Sequence, residues 1–519
     1  MPSLTYDRFD VGLDRRKGAS VADANRLREL KNAYVTQGRA IRKRPGLKRI
    51  ATLEAGTKGL VAAFGKLNTF YNAGSVTHAN TLFQANRAKH STSITEGIAR
   101  VHYGGVFLGY LYLAIEYNDA SVEHIYLDDP GAWAATTAYS LTNFRLPTVA
   151  NGYRYECTSA GTSGGSEPSW PIIPGGTVVD GTVTWTCRSF KVTDVNCPHS
   201  KGVIRAASRI FAIDGETVPF SAAGDPRDWT TASDAGFLPV GLQQEGGATD
   251  AMALGQFQKQ LVVFFIDSAQ IWTVDVDPAN NAIYQRIYGV GTRWARSHAS
   301  FATDVFFLAY PGFRSITVNS QTENMQDTDV GSPIDSLVAP VSDSATPMGL
   351  YVPGLGQYWC ILGNRAWVYS FSRSAKIAAW SEYEFAVTID DAATLENKLY
   401  VRSGDSVFEV THDVFTDDGQ VFEALVELPY VDAKRPGVMK QYTGCDMVVA
   451  GTVNVSFKYD ASDEGLVTSE IEYNSDTRPG PMIPIEVCAT SIAPRLRHSA
   501  NEDFQLDLIS IYHEELGTT

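Results

Sequence analysis

One short unit recurs along this chain: an apolar strand, a tight polar turn, then a second apolar strand. "RIFAIDGETVPFS" turns at Asp214-Gly215, and "QLVVFFIDSAQIWTV" turns at Asp267-Ser268. "VFFLAYPGFRSITV" follows, then "QYWCILGNRAWVYSF" with Gly363-Asn364 at its turn, and "KLYVRSGDSVFEV" with Ser403-Gly404-Asp405. Such turn residues accept the positive φ that short hairpins need, and the apolar runs beside them have the length of strands. The first strands begin near 210, 261, 305, 358 and 398, so the unit returns every 40–53 residues. Weaker copies precede them in "LNTFYNAGSVT" and "VFLGYLYLAIEYNDASVEHIYL". A repeat of this period with several strands each predicts propeller blades. The expected fold is all-β: a β-propeller of about six to seven blades with a small inserted β module and a β-rich C-terminal portion. A Greek-key sandwich array is the rival, and no WD or kelch consensus is present.

Composition agrees with strands. Among 519 residues there are 24 Tyr, 24 Phe and 44 Gly, and no long Ala/Leu/Glu/Lys block suits a helix. The best helical pattern is Ala22–Tyr34, where Leu27 and Leu30 share one face. No apolar run reaches the roughly 18 residues of a membrane-spanning helix, and the opening MPSLTYDRFDVGLDRR lacks the apolar region of a secretory signal. Composition shifts divide the chain into a basic N-terminal docking arm (1–55), first blades (56–147), an inserted β module (148–192), further blades (193–412) and a β-rich platform (413–519). The insert is Gly-, Ser- and Pro-rich at its centre and ends in the alternating strand Thr182–Cys187, which suits a module carried on a propeller loop.

Charge is divided sharply. The chain carries a formal −15, yet residues 1–50 are net +8 and residues 413–519 net −12. The basic surplus peaks in GRAIRKRPGLKRI (38–50), where Pro45-Gly46 reads as a turn. Nucleic-acid binding, docking to an acidic protein neighbour and a solvated loop are its three readings. The absence of interleaved aromatics and the acidity of the remainder favour docking, through Arg42, Lys43, Arg44 and Pro45.

No enzyme signature stands out, and no catalytic residue, metal ligand or cofactor is expected. Gly161-Thr162-Ser163-Gly164-Gly165 matches G-x-S-x-G, but Ser166, Glu167 and Pro168 follow where a nucleophile elbow needs a helix. The acidic pairs Asp417-Asp418 and Asp463-Glu464 lack calcium-loop spacing. Six scattered cysteines read as reduced thiols, with a Cys157–Cys187 bridge, or zinc on Cys157, Cys187, Cys197 and His199, as alternatives. In the insert, Tyr153 and Trp170 could stack on a glycan, or with Tyr155 and Trp185 fill a small core.

The opening "FDVGLDRRKG…NRLRELKNAYVTQGRAIRKRPGLKRI" and the stretch from Asp250 to Val318 resemble tail-nozzle and packaged-DNA stabilisation proteins (tail tubular protein B-like) of short-tailed bacteriophages. The likeness covers roughly residues 9–50 and 200–320. It implies a structural virion protein, assembled in the host cytoplasm into a homohexameric tail ring beneath the portal and adaptor. Such a ring meets fibre, spike or needle proteins, retains genomic DNA, and conducts it at ejection without sequence-specific contacts. Alternative functions are a glycan- or receptor-binding propeller adhesin and a propeller glycosidase.

Overall fold

Strand pairing in the computed structural model turns the recurring hairpins into blades. The structure describes residues 2–518 apart from 19–21, 73–81, 90–95, 233, 245–248, 302–303, 311, 318–329, 339–340, 343 and 475–481. Pro311 and Val318 of one hairpin, and the end of the early "LNTFYNAGSVT" copy, thus lie outside the described residues.

The hairpins from 209 to 411 each supply the second and third strands of a blade, and a strand on the N-terminal side completes it. Blade four shows the plan: Ala253–Phe257, Gln260–Phe264, Ser268–Thr273 and Ala282–Tyr288 pair in antiparallel order. Its second strand is buried along nearly its whole length because both faces are covered by neighbouring blades, which explains its unbroken apolar run. The other blades open with Lys58–Ala63, Ile98–Phe107, Val203–Ala206, Ala299–Phe301, Met348–Val352 and Asp391–Leu395. Each of these innermost strands lies against that of the next blade, and Asp391–Leu395 returns to Lys58–Ala63. The fold is therefore a closed seven-bladed β-propeller, and the sandwich alternative is excluded.

Closure comes from the far end of the chain. Gly46–Thr52 pairs antiparallel with Ser406–Thr411, placing Lys48 opposite Glu409, and so becomes the fourth strand of blade seven. Sealing the ring with an N-terminal strand removes an exposed sheet edge.

The remaining strands form a platform built from both chain ends. In one sheet Gln505–Thr518 lies between Val438–Ala450 and the N-terminal strands Ser3–Tyr6 and Ile41–Lys43. Val438–Ala450 largely alternates in burial, as expected for a strand with one wet face. The second sheet continues blade six: its outer strand Ile377–Glu384 pairs with Glu29–Lys31, which pairs with Ala424–Glu427, then Ala493–His498 and Val453–Lys458. One hydrophobic core joins Tyr6, Phe9 and Leu27 to Trp380 of blade six and to Val455 and Ile509 of the C-terminal strands.

Two boundaries and one element differ from those read in the sequence. Residues 1–55 are no arm, since they contribute strands to both platform sheets and to blade seven. The expected helix at Ala22–Tyr34 is instead three short strands, Arg26–Leu27, Glu29–Lys31 and Ala33–Val35. Its apolar side chains are needed on the platform core, which overrides the helical spacing. The inserted module begins near Trp133, not at 148, because Trp133 and Tyr139 belong to its core. Helix among the described residues is limited to short turns such as Asp335–Val338.

Candidate functional site

The middle of the basic stretch, Lys43 to Leu47, is buried, while Lys48 and Arg49 stay exposed. Asn32 sets the geometry: its φ of +53 turns the chain sharply, a conformation Asn tolerates better than most residues. Its side-chain oxygen accepts from Arg44 Nε at 2.9 Å and from the Glu384 amide at 2.8 Å. Arg44 is fully buried and forks onto Asp417, with Nη1–Oδ1 at 2.9 Å and Nη2–Oδ2 at 2.6 Å. Two further bonds go to the carbonyls of Pro45 and Glu384. The guanidinium lies 3.6 Å from the centre of the Phe422 ring and 4.5 Å from that of Phe385. The buried charge is thus satisfied by a carboxylate, hydrogen bonds and aromatic faces together.

Its neighbours are engaged as well. Lys43 donates to the Ala500 carbonyl at 2.6 Å, and burial beside the Arg44 charge pushes its ammonium down to about 8. Arg42 chelates Asp503, and Arg49 pairs with Asp418. Farther upstream Arg28 reaches Glu427 and Glu464. Arg42, Lys43 and Arg44 are therefore not a free docking surface, and Pro45 is buried between two strands instead of leading an exposed turn. The acidic neighbour that this stretch meets is the C-terminal third of its own chain.

The acidic pairs resolve with it. Asp417 and Asp418 hold Arg44 and Arg49, while Glu464 holds Arg28 and lies 3.6 Å from Lys458.

In the insert, Tyr153, Tyr155 and Trp185 are buried in the module's own core. Tyr153 is only 1% exposed and cannot stack on a glycan. Trp170 is half-buried, packed on Tyr155 with centroids 4.2 Å apart, and it donates Nε1 to Glu167 at 2.8 Å. Asp180 ties the module together, accepting from the indoles of Trp133 (2.7 Å) and Trp185 (3.0 Å) and from the Gly164 amide (2.7 Å). Ser163 of the G-x-S-x-G match donates to the Ala134 carbonyl at 2.7 Å within this knot. Cys157 faces Trp185 across the ladder and Cys187 faces Tyr155, so the two thiols are out of register and unbridged. Burial pushes the Cys187 thiol up to about 12.

What sequence reasoning missed is a cavity of about 500 Å³ on the propeller axis. Innermost strands of blades two, three, four, six and seven line it, together with the loop carrying Arg293 and Arg296. Its charged side chains, Arg100, Lys201, Arg293 and Arg296, are all basic and come from three separate segments of the chain. Single basic residues at blade starts gave no signal, because only ring closure brings them together.

No protein-family model matches the sequence, and no curated protein sequence is detectably similar to it. Among solved structures, the chain is similar to BamB from Moraxella catarrhalis, at 10% identity and a TM-score of 0.34, over 70% of this chain and 98% of that one. It is likewise similar to the Pan2 WD40 domain of Neurospora crassa, at 8% identity and a TM-score of 0.29, over 60% and 89% of the two chains. Likenesses of this size carry no weight beside the strand pairing, which defines the propeller by itself.

Proposed function

We propose that this chain is a structural subunit of a ring-shaped nozzle or hub in the tail of a short-tailed bacteriophage. One observation carries the reading. The N-terminal residues that resemble the nozzle proteins are those the platform is assembled around. Phe9, Leu13, Leu27 and Leu30 lie in its core. Gly12 takes a φ of +63 where an added Cβ would lie 2.7 Å from the Trp380 carbonyl. Asp14 is buried between Arg16 and Arg26. The phrase thus specifies a way of joining platform to propeller, and a shared phrase argues for a shared two-part plan.

The charge distribution fits a conduit. The chain carries a net −15, and an acidic wall would give a polyanion no phosphate contacts to slow its passage. Homo-oligomerisation to a hexamer, attachment below a portal and adaptor, and a place in the virion tail follow from the same reading. Native mass measurement of the purified chain, alone and with a portal–adaptor assembly, tests it. Rings of about six subunits, the closed symmetric form such assemblies favour, are the expected result. A monomer at every concentration that also fails to join the portal–adaptor assembly would sink the proposal.

A further inference from the structure

The axial cavity has a chemistry that the nozzle reading does not use. Arg100 projects from the innermost strand of blade two, Lys201 precedes that of blade three, and Arg296 lies in the loop before blade five. Two carboxylates reach this group. Glu116 takes Lys201 at 2.6 Å and His102 at 2.7 Å. Asp391 is held by Arg402 at 2.6 Å and lies 3.6 Å from Arg296. Among the described residues the Arg100 side chain has neither an ion pair nor a hydrogen bond. Burial holds the Arg296 guanidinium below its ordinary range; the Asp391 charge opposes this, and the charge on Arg100 adds a smaller push in the same direction as burial. Leu254, Met348 and Leu350 give the lining an apolar part as well.

We propose that this cavity is a binding site for a phosphate-type oxyanion, with Arg100, Lys201 and Arg296 as its cationic pole. Glu116 and Asp391 offset Lys201 and Arg296 only from one side, and Arg100 has no carboxylate among the described residues, so an anion in the cavity would meet a net positive wall. Guanidinium forks match the tetrahedral oxygens of phosphate, and Lys201 at the rim supplies a point charge. The volume admits a small organic molecule as well as a bare ion, and the apolar part of the lining would receive the organic part of a phosphate monoester. The site belongs to one subunit's own propeller axis, so it is independent of any channel formed by a ring.

Arg296 is built into the packing, so the test uses the two other cations. Isothermal titration of the full chain with inorganic phosphate and with phenyl phosphate, at fixed ionic strength, should give saturable binding with competition between the two. Arg100→Gln and Lys201→Gln should each weaken both ligands about tenfold, in line with loss of one charge-assisted contact. Their thermal unfolding without ligand should match the parent chain. Tighter binding of phenyl phosphate identifies an ester as the natural occupant, and equal binding identifies the free ion. Absence of saturable binding, or variants that bind as the parent does, would overturn the site.

Discussion

At Arg44 the sequence showed the residue but hid its role. Its carboxylate partner Asp417 is 373 positions away, and local pattern cannot reveal a pairing at that separation. The whole cluster therefore read as a surface, although Lys43 and Arg44 at its centre belong to the interior of the fold. Arg44→Met removes one partner and strands a buried carboxylate, so it should destabilise the fold by about 3–5 kcal/mol in urea denaturation. Adding Asp417→Leu should restore much of that loss, since a buried pair replaced by apolar groups is often neutral. His124 sets a pH limit at the same scale. It accepts from the Tyr112 hydroxyl at Nδ1 and donates Nε2 to the Ser200 carbonyl, so the fold holds it neutral. Burial lowers its pKa from 6.5 to about 4. Between those values the unfolded chain binds more protons than the native one, so stability is full above pH 6.5 and falls as pH drops toward 4. The difference from His124→Gln across that window should approach about 3 kcal/mol by denaturant titration.

Among the elements, those with local signals were legible. Hairpins with Asp-Gly or Gly-Asn turns announce themselves because φ at the turn restricts residue choice. Strands of two or three residues, such as Arg26–Leu27 and Glu29–Lys31, carry no period, and the spacing of Leu27 and Leu30 imitated a helix. The insert's later half was visible through Asp180-Gly181 and its alternating strand. Its beginning was not, since Trp133 and Tyr139 sit in loop-like sequence and reveal themselves only by packing. Asp180 offers a clean test of the module as a separable element. Asp180→Ala orphans two buried indole donors and should cost the module about 2–4 kcal/mol. Hydrogen exchange should then lose protection across 133–188 while the blade strands keep theirs.

For the molecule as a whole, a single backbone stretch acts in three places. Residues 2–52 add strands to both platform sheets and seal blade seven. A chain lacking residues 1–52 should therefore fail to unfold in one cooperative transition by calorimetry, and it should expose the edge of Ser406–Thr411 to proteolysis. Supplying residues 2–52 as a separate peptide should restore protection, because its contacts to the rest are non-covalent throughout. The propeller was legible at this scale because seven copies of one unit repeat a weak signal. Of the platform only the C-terminal, β-rich half was legible; its N-terminal strands were not, because the sheets are assembled once, from pieces at opposite ends.

That arrangement governs the order of events during synthesis. Ser3–Tyr6 and Ile41–Lys43 leave the ribosome long before Gln505–Thr518, the strand they pair with. At the usual rate of about 5–20 residues per second, the cationic segment waits roughly 25–100 s for its partners. During that interval each nascent chain exposes a positively charged, strand-forming end that another chain's acidic C-terminus could equally well capture. Cells making this protein in bulk face a choice between self-closure and chain exchange that is decided by local concentration, so a low rate of initiation, which keeps nascent chains sparse, should favour correctly closed monomers.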